Sequence, residues 1–276
     1  MPFDVHTCGD LVYHTSSILD NSGIVHGFST RKGGVSEGCF ASLNLRMGGP
    51  NPDDRENVVE NYRRFCAAVG ADVNGTVLSV QVHEDTIRAV TAADAGKGLF
   101  RERDYTADAL ITNEPGLSLM VFSADCGIFL MHDPISGCIG AVHAGWRGTA
   151  LDLPAKTVRE MGRRYGAKPE NIRVAIGAGI GPCCFDTHWD VPEAMLAAFG
   201  PDADTFFHAF RGKWQVDLEG INLWRLREAG IREEHLESIG LCTACHGEAL
   251  YWSHRRDGDA RGVQAALIAL KGERGV

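Results

Sequence analysis

Apolar positions in this chain follow two rhythms. Between residues 55 and 70 they recur every three or four places, so that Val58, Tyr62, Phe65, Cys66 and Val69 share one face, the spacing of an amphipathic helix. Asn51 reads as its N-cap, with Pro52 at the first helical position, Asp53 and Asp54 in the first turn, and Gly70 as its stop. Elsewhere the rhythm is that of strands. Residues 76–82 alternate, with Leu78, Val80 and Val82 opposite Val77, Ser79, Gln81 and His83. Residues 117–122 are almost continuously apolar, as in a strand covered on both faces. Residues 128–131 and 138–142 are predicted strands joined by the turn Asp133-Pro134-Ile135-Ser136-Gly137. Residues 23–29, 173–176 and 263–270 read as further strands, 154–165 as a helix, and Asp217 as the cap of a helix reaching Ala229. With no linker, low-complexity tract or internal repeat, the expectation is a single α/β domain over 1–276, a mixed β-sheet flanked by helices.

Composition narrows the partners. The 276 residues carry 27 Lys+Arg against 36 Asp+Glu, a formal charge of −9, which lacks the basic face of a nucleic-acid binder. No stretch is long and apolar enough to span a bilayer, and the first ten residues have neither the basic nor the apolar region of a signal peptide. The nine cysteines are odd in number and scattered, so reduced thiols or metal ligands are expected rather than a disulfide framework, in a cytoplasmic protein. The 33 glycines favour tight turns and close backbone approaches.

Three segments each end an apolar strand with a residue that binds metals: Gln81-Val82-His83, Ser123-Ala124-Asp125-Cys126 and Val142-His143-Ala144-Gly145-Trp146-Arg147-Gly148. Strands that end together would gather His83, Cys126 and His143 at one rim. Two histidines and a cysteine make a three-ligand zinc set with the fourth position open. Their spacing defines no local metal motif, so a small buried thiol and two ordinary histidines fit it equally well.

The stretch His26-Gly27-Phe28-Ser29-Thr30-Arg31-Lys32-Gly33-Gly34-Val35-Ser36 resembles the opening signature of the laccase-domain proteins. These were first called polyphenol oxidases and are now regarded as zinc-dependent purine nucleoside phosphorylases. Ser42-Leu43-Asn44-Leu45, Gln81-Val82-His83, Ala124-Asp125-Cys126, His143-Ala144-Gly145-Trp146-Arg147-Gly148 and Gly179-Ile180-Gly181-Pro182-Cys183-Cys184 are similar to its later signatures, in the same order. The resemblance covers nearly the whole chain. It implies one α/β domain with Zn²⁺ held by His83, Cys126 and His143. It also implies phosphorolysis of adenosine, inosine and methylthioadenosine, with adenosine deamination beside it. Two departures bear on the pocket's shape: Gly127-Ile128 follows Cys126 where the family usually places a proline second, and His254 stands where an aromatic ring is commoner.

Purine nucleosides and phosphate would need further groups. Arg31 lies in a Gly-rich turn whose N–H groups could form an anion-binding concavity, and Arg147 follows His143 within another Gly-flanked turn. Either is a candidate for phosphate or a solvated loop arginine. Asn44 could bond a ribose hydroxyl or cap a turn. Asp125 could orient a histidine, act as a catalytic base, or cap a turn.

Other readings use the same residues. Copper would also accept two histidines and a cysteine, as the family's older name suggests, but no His-x-His pair occurs among the 11 histidines. A metal-free hydrolase would use Cys126 as nucleophile with His143 or His83 as base, which would suit editing of peptidoglycan precursors. A structural metal would need a fourth ligand, from Asp125 or a distant histidine. Cys242-Thr243-Ala244-Cys245-His246 matches the haem-attachment pattern, a reading set aside because no export signal accompanies it, and Cys183-Cys184 read as structural. A monomer or weak homodimer is expected.

Overall fold

The computed structural model describes residues 3–20, 23–49, 51–246 and 249–271. Its strands form three sheets rather than the single one expected. The first is ordered β1 (Phe3–Cys8), β2 (Leu11–Ser16), β3 (Ile24–Ser29), β15 (Gln264–Leu270), β7 (Ser118–Ser123) and β4 (Thr76–Val77). The second is ordered β14 (Leu236–Ser238), β10 (Arg173–Ile176), β8 (Gly127–Asp133), β9 (Cys138–Ala144), β6 (Ala109–Thr112) and β5 (Ile87–Ala89). Both are mixed: β4 runs parallel to β7, and β5 parallel to β6, among otherwise mostly antiparallel neighbours. A small third sheet joins β11 (Asp186–Thr187), β13 (Lys213–Val216) and β12 (Phe207–Phe210).

The two large sheets pack face to face, which explains the near-continuous apolar runs. On β15, Ala266 and Ile268 point into the inter-sheet core with Leu119 and Val121 of β7 and Ile128, Leu130, Ile139 and Ala141 of the opposite sheet. The alternate residues Ala265, Leu267 and Met120 face outward, where helix α1 (Arg55–Val69) covers them with Val58, Tyr62 and Phe65. Likewise Phe129, Met131 and Val142 face α3 (Leu153–Tyr165) and α5 (Leu218–Glu228), through Leu153, Val158, Met161 and Leu226. Period two therefore survives in direction but not in polarity along the central strands, which are buried on both faces. Short helices α2 (Trp146–Ala150) and α4 (Asp190–Phe199) pack beside the third sheet, and α6 (His254–Asp257) precedes the last strand.

Two local expectations differ from the fold. Asp54, not Asn51, caps α1: its carboxylate accepts the N–H groups of Glu56 and Asn57, three residues later than expected. Only Thr76 and Val77 of the alternating 76–82 run pair as a strand; beyond them a single bridge, Val80 to Thr106, continues the extended chain. The Asp217 cap is as expected, its carboxylate accepting the Gly220 N–H at 2.9 Å.

Candidate metal centre

The segment carrying His83 is held without a strand ladder. The Gln81 side-chain amide donates to the Phe122 carbonyl and accepts the Phe122 N–H, both at 2.8 Å, imitating a backbone pairing where β4 has stopped. The chain then turns at His83, whose φ of 63° lies in the left-handed region. Asp108 secures this turn, its carboxylate accepting the N–H groups of Val82, His83 and Glu84 at 3.0–3.1 Å. The β7–β8 corner turns at Asp125, φ 95°, and Ser123 Oγ donates across it to the Cys126 carbonyl. Both residue types tolerate positive φ better than most, and such strain concentrates at functional sites.

These corners bring the three expected ligands together. The ligand atoms of His83, Cys126 and His143 all lie within 4.8 Å of one another. Cys126 Sγ is 3.8 Å from His83 Nε2, and the two imidazole rings stand nearly perpendicular with centroids 4.8 Å apart. His143 is buried at the end of β9, Cys126 is half-buried and His83 is exposed. A Cβ at Gly145 would come within 2.9 Å of Cys126 Sγ and 3.0 Å of His83 Cδ2, so a side chain there would fill the place where the donors converge.

Asp108, which sequence reasoning did not single out, decides the histidine's orientation. It is wholly buried, and its Oδ1 lies 2.8 Å from His143 Nδ1. Nδ1 thus donates to the carboxylate and Nε2 is left as the donor atom for a metal. Burial raises the Asp108 carboxyl, but the His143 bond and the backbone N–H groups outweigh it and hold the group below its ordinary value. Burial also opposes Cys126 ionisation; the two histidines override it and bring the thiol down to about 6. For His143, burial would lower the imidazole, yet Cys126 and Asp108 raise it to about 9. A thiolate, two imidazoles and an open fourth side fit Zn²⁺. The sequence signal for Asp108 was a lone carboxylate inside the apolar run Ala107-Asp108-Ala109-Leu110-Ile111, which needs a buried partner.

His83 and Cys126 line a cleft with a cavity of about 200 Å³, and His143 is buried beside them. Trp146, Ile180, Phe185 and Leu218 give it apolar walls, while Asp125, Arg147, His254 and Arg255 supply polar groups. Residues 25–271 match the family model described as multi-copper polyphenol oxidoreductase laccase. The chain belongs to the laccase-domain family. Among its laccase-domain relatives, purine nucleoside phosphorylase YlmD of Geobacillus stearothermophilus is 36% identical over 92% of this chain and 91% of its own. The purine nucleoside phosphorylase of Deinococcus radiodurans is 35% identical over 91% of this chain and 90% of its own. The crystal structure of the Geobacillus YlmD superposes with a TM-score of 0.89 at 34% identity, covering 98% of this chain and 99% of that one.

The remaining expected site residues of this laccase-domain protein fall in different places. Arg147 lines the cleft, its guanidinium 4.3 Å from the Trp146 ring centroid, and it makes no ion pair among the described residues. Asp125 also lines it, but both oxygens already accept: Oδ1 from Thr243 Oγ1 at 2.6 Å and Oδ2 from the Arg255 N–H at 2.7 Å. Arg31 is not among the lining residues. It stacks 4.0 Å over Trp252 and donates to the Ala41 carbonyl, beside a separate depression. The Gly-rich turn around it does not present free N–H groups throughout, because those of Arg31, Lys32, Gly34 and Val35 bond to Leu250, Thr30, Ser42 and Asn61. Asn44 is wholly buried; its Oδ1 accepts from Arg46 and Val263 while its Nδ2 donates to Asp53. Arg261 is a basic group the sequence reading passed over. Its Nε is buried without a hydrogen-bond partner among the described residues, and burial with the Arg46 charge holds the guanidinium below its ordinary value against the pull of Asp125, Asp259 and Cys126.

Proposed function

We propose that this chain is a zinc-dependent purine nucleoside phosphorylase, acting on adenosine, inosine and methylthioadenosine with phosphate to give the free base and ribose 1-phosphate, and that it deaminates adenosine in the same cleft. The observation that carries this reading is the three-ligand set, two of whose members, His83 and Cys126, line an apolar-walled cleft, with Asp108 engaging His143 Nδ1 so that its Nε2 is left for a metal. The names of relatives matched over about nine-tenths of both chains support the phosphorylase part of this reading.

His83, Cys126 and His143 would hold the zinc, which acts as a Lewis acid toward the departing or reacting purine. The protein's own part is positional. Trp146, Ile180, Phe185 and Leu218 offer apolar surface for a flat base and exclude water around it. Arg147, exposed at the cleft edge and without an ion pair among the described residues, is the group for phosphate. Asp125 is the carboxylate of the cleft and the candidate for moving a proton. The deciding experiment combines metal analysis with product analysis. Adenosine should give inosine without phosphate and adenine with it, and Cys126→Ala should lose this zinc and both products together. Zinc-free protein that keeps full phosphorolysis would overturn the reading.

A second reading rests on Cys126, His143 and Asp108, which also form the nucleophile–base–carboxylate series of a thiol hydrolase. Hydrolysis of a peptidoglycan precursor that survives a chelator and is abolished by thiol alkylation would favour it. A multi-copper oxidase has less support: the described residues hold one other ligand group, of four cysteines, and no histidine cluster.

A further inference from the structure

We infer that Cys183, Cys184, Cys242 and Cys245 form a second metal site, a closed four-thiolate site of the zinc-binding kind, that clamps one wall of the cleft. The four sulfurs come from two loops far apart in sequence, yet all lie within 4.8 Å of one another. Zn–S bonds of about 2.3 Å place the sulfurs of a regular tetrahedron about 3.8 Å apart. Cys183 Sγ and Cys245 Sγ are 3.5 Å apart, close to that edge. The cysteines are adjacent in one loop and spaced Cys-x-x-Cys in the other, so neither loop could supply the set alone.

Burial opposes ionisation of Cys242, but the N–H groups of Gly181, Cys245 and Ala244, drawn from both loops, outweigh it and hold that thiol below its ordinary value. Burial and the neighbouring thiols hold Cys183 and Cys184 above theirs. Gly181 lies tight against the cluster: a Cβ there would stand 3.3 Å from Cys183 Sγ and 3.3 Å from Cys242 Cβ. The loops are tied by the Gly179–Cys242 bridge and by the Thr243 N–H donating to the Gly179 carbonyl at 2.9 Å. Binding would release one proton from each thiol to solvent and leave a four-coordinate metal with no open position, which makes the site structural.

Its place in the fold says what it would hold. Ile180 and Phe185, on either side of Cys183 and Cys184, line the cleft. Thr243, next to Cys242, donates to Asp125, and Arg255 donates to the Cys184 carbonyl at 3.0 Å. The clamp therefore fixes the wall that carries Ile180 and Phe185, with none of its four sulfurs among the members of the three-ligand centre.

The test separates the two sites by variant. Purified under reducing conditions, Cys126→Ala should retain one zinc per chain, and Cys126→Ala with Cys245→Ser none. Loading Cys126→Ala with cobalt(II) should give the tetrahedral spectrum and strong thiolate-to-metal charge transfer of four sulfur ligands, a readout that needs no destabilised variant. A metal-free Cys126→Ala that takes up no cobalt would overturn the inference, as would a disulfide within the cluster found by mass spectrometry of reduced-purified protein. Neither result would bear on the His83, Cys126 and His143 centre, whose own metal is read in Cys245→Ser.

Discussion

His143 Nδ1 lies 2.8 Å from Asp108 Oδ1, and the same carboxylate accepts the N–H of His83 at 3.1 Å. One buried acid therefore sets the ring of one ligand and the backbone of another. Asp108→Asn would keep the size but bring an NH₂ group either against the Val82 and Glu84 N–H groups or against the His83 N–H and the imidazole N–H. Metal affinity of the three-ligand centre should fall about 10–100-fold, measured by competition with a chromogenic chelator. Unchanged affinity would show that the ligands hold their orientation without Asp108.

Arg147 and Arg31 are expected to separate. Arg147→Ala should raise the KM for phosphate by roughly tenfold or more, the scale of a lost charge-assisted bond, with zinc content intact. Arg31→Ala should lower thermal stability, through loss of its Trp252 stacking and its bonds to Ala41, with a smaller effect on that KM. A phosphate KM that responds to Arg31 and ignores Arg147 would move the anion site to the depression beside Ser42.

Asn44→Ala should cost about 2 kcal/mol of folding stability, because two backbone N–H groups and the Asp53 carboxylate each lose a partner. Denaturant unfolding reads this directly. Full stability together with a large rise in nucleoside KM would instead favour the ribose contact.

Acid should weaken the fold through His26. Burial brings its imidazole from 6.5 down to about 4, with the Ser16 N–H donating to its neutral Nε2 at 2.9 Å. The folded state thus prefers the uncharged ring. This contribution is complete above pH 6.5 and is lost as the pH falls from 6.5 through 4, where the unfolded chain binds the proton first. The loss at His26 is roughly 3 kcal/mol at most. Urea midpoints at pH 7 and pH 5 should differ, and His26→Gln should flatten that difference. An equal pH slope in the variant would assign the acid sensitivity to other groups, His132 foremost, which burial also brings down to about 4.

Two members of the proposed centre could be read from the chain because they lie at strand ends: β9 delivers His143, and the β7–β8 corner delivers Cys126. The amphipathic α1 and the Asp217 cap were visible for the same local reason. The second large sheet was not, since an apolar run shows that both faces are covered but not by what. The alternation of residues 76–82 puts Gln81 in a strand, yet its side chain supplies the pairing the backbone lacks. Asn44 and Arg31 resembled binding residues by type, and their partners, Val263 and Trp252, come from the far end of the sequence, where no spacing rule reaches. The four cysteines were seen as two unrelated pairs for that reason as well.

The graded exposure of the three proposed ligands, from buried His143 through Cys126 to exposed His83, would give metal exchange at this centre a direction. A chelator arriving from solvent meets His83 first, while Asp108 still holds His143 in place behind it. Removal should therefore begin with the outer imidazole and end with the inner one, and reloading should run in reverse. Lability would then be governed at the corner around His83: changes to the Gln81 clamp should alter how fast the ion leaves more than how tightly it is finally held.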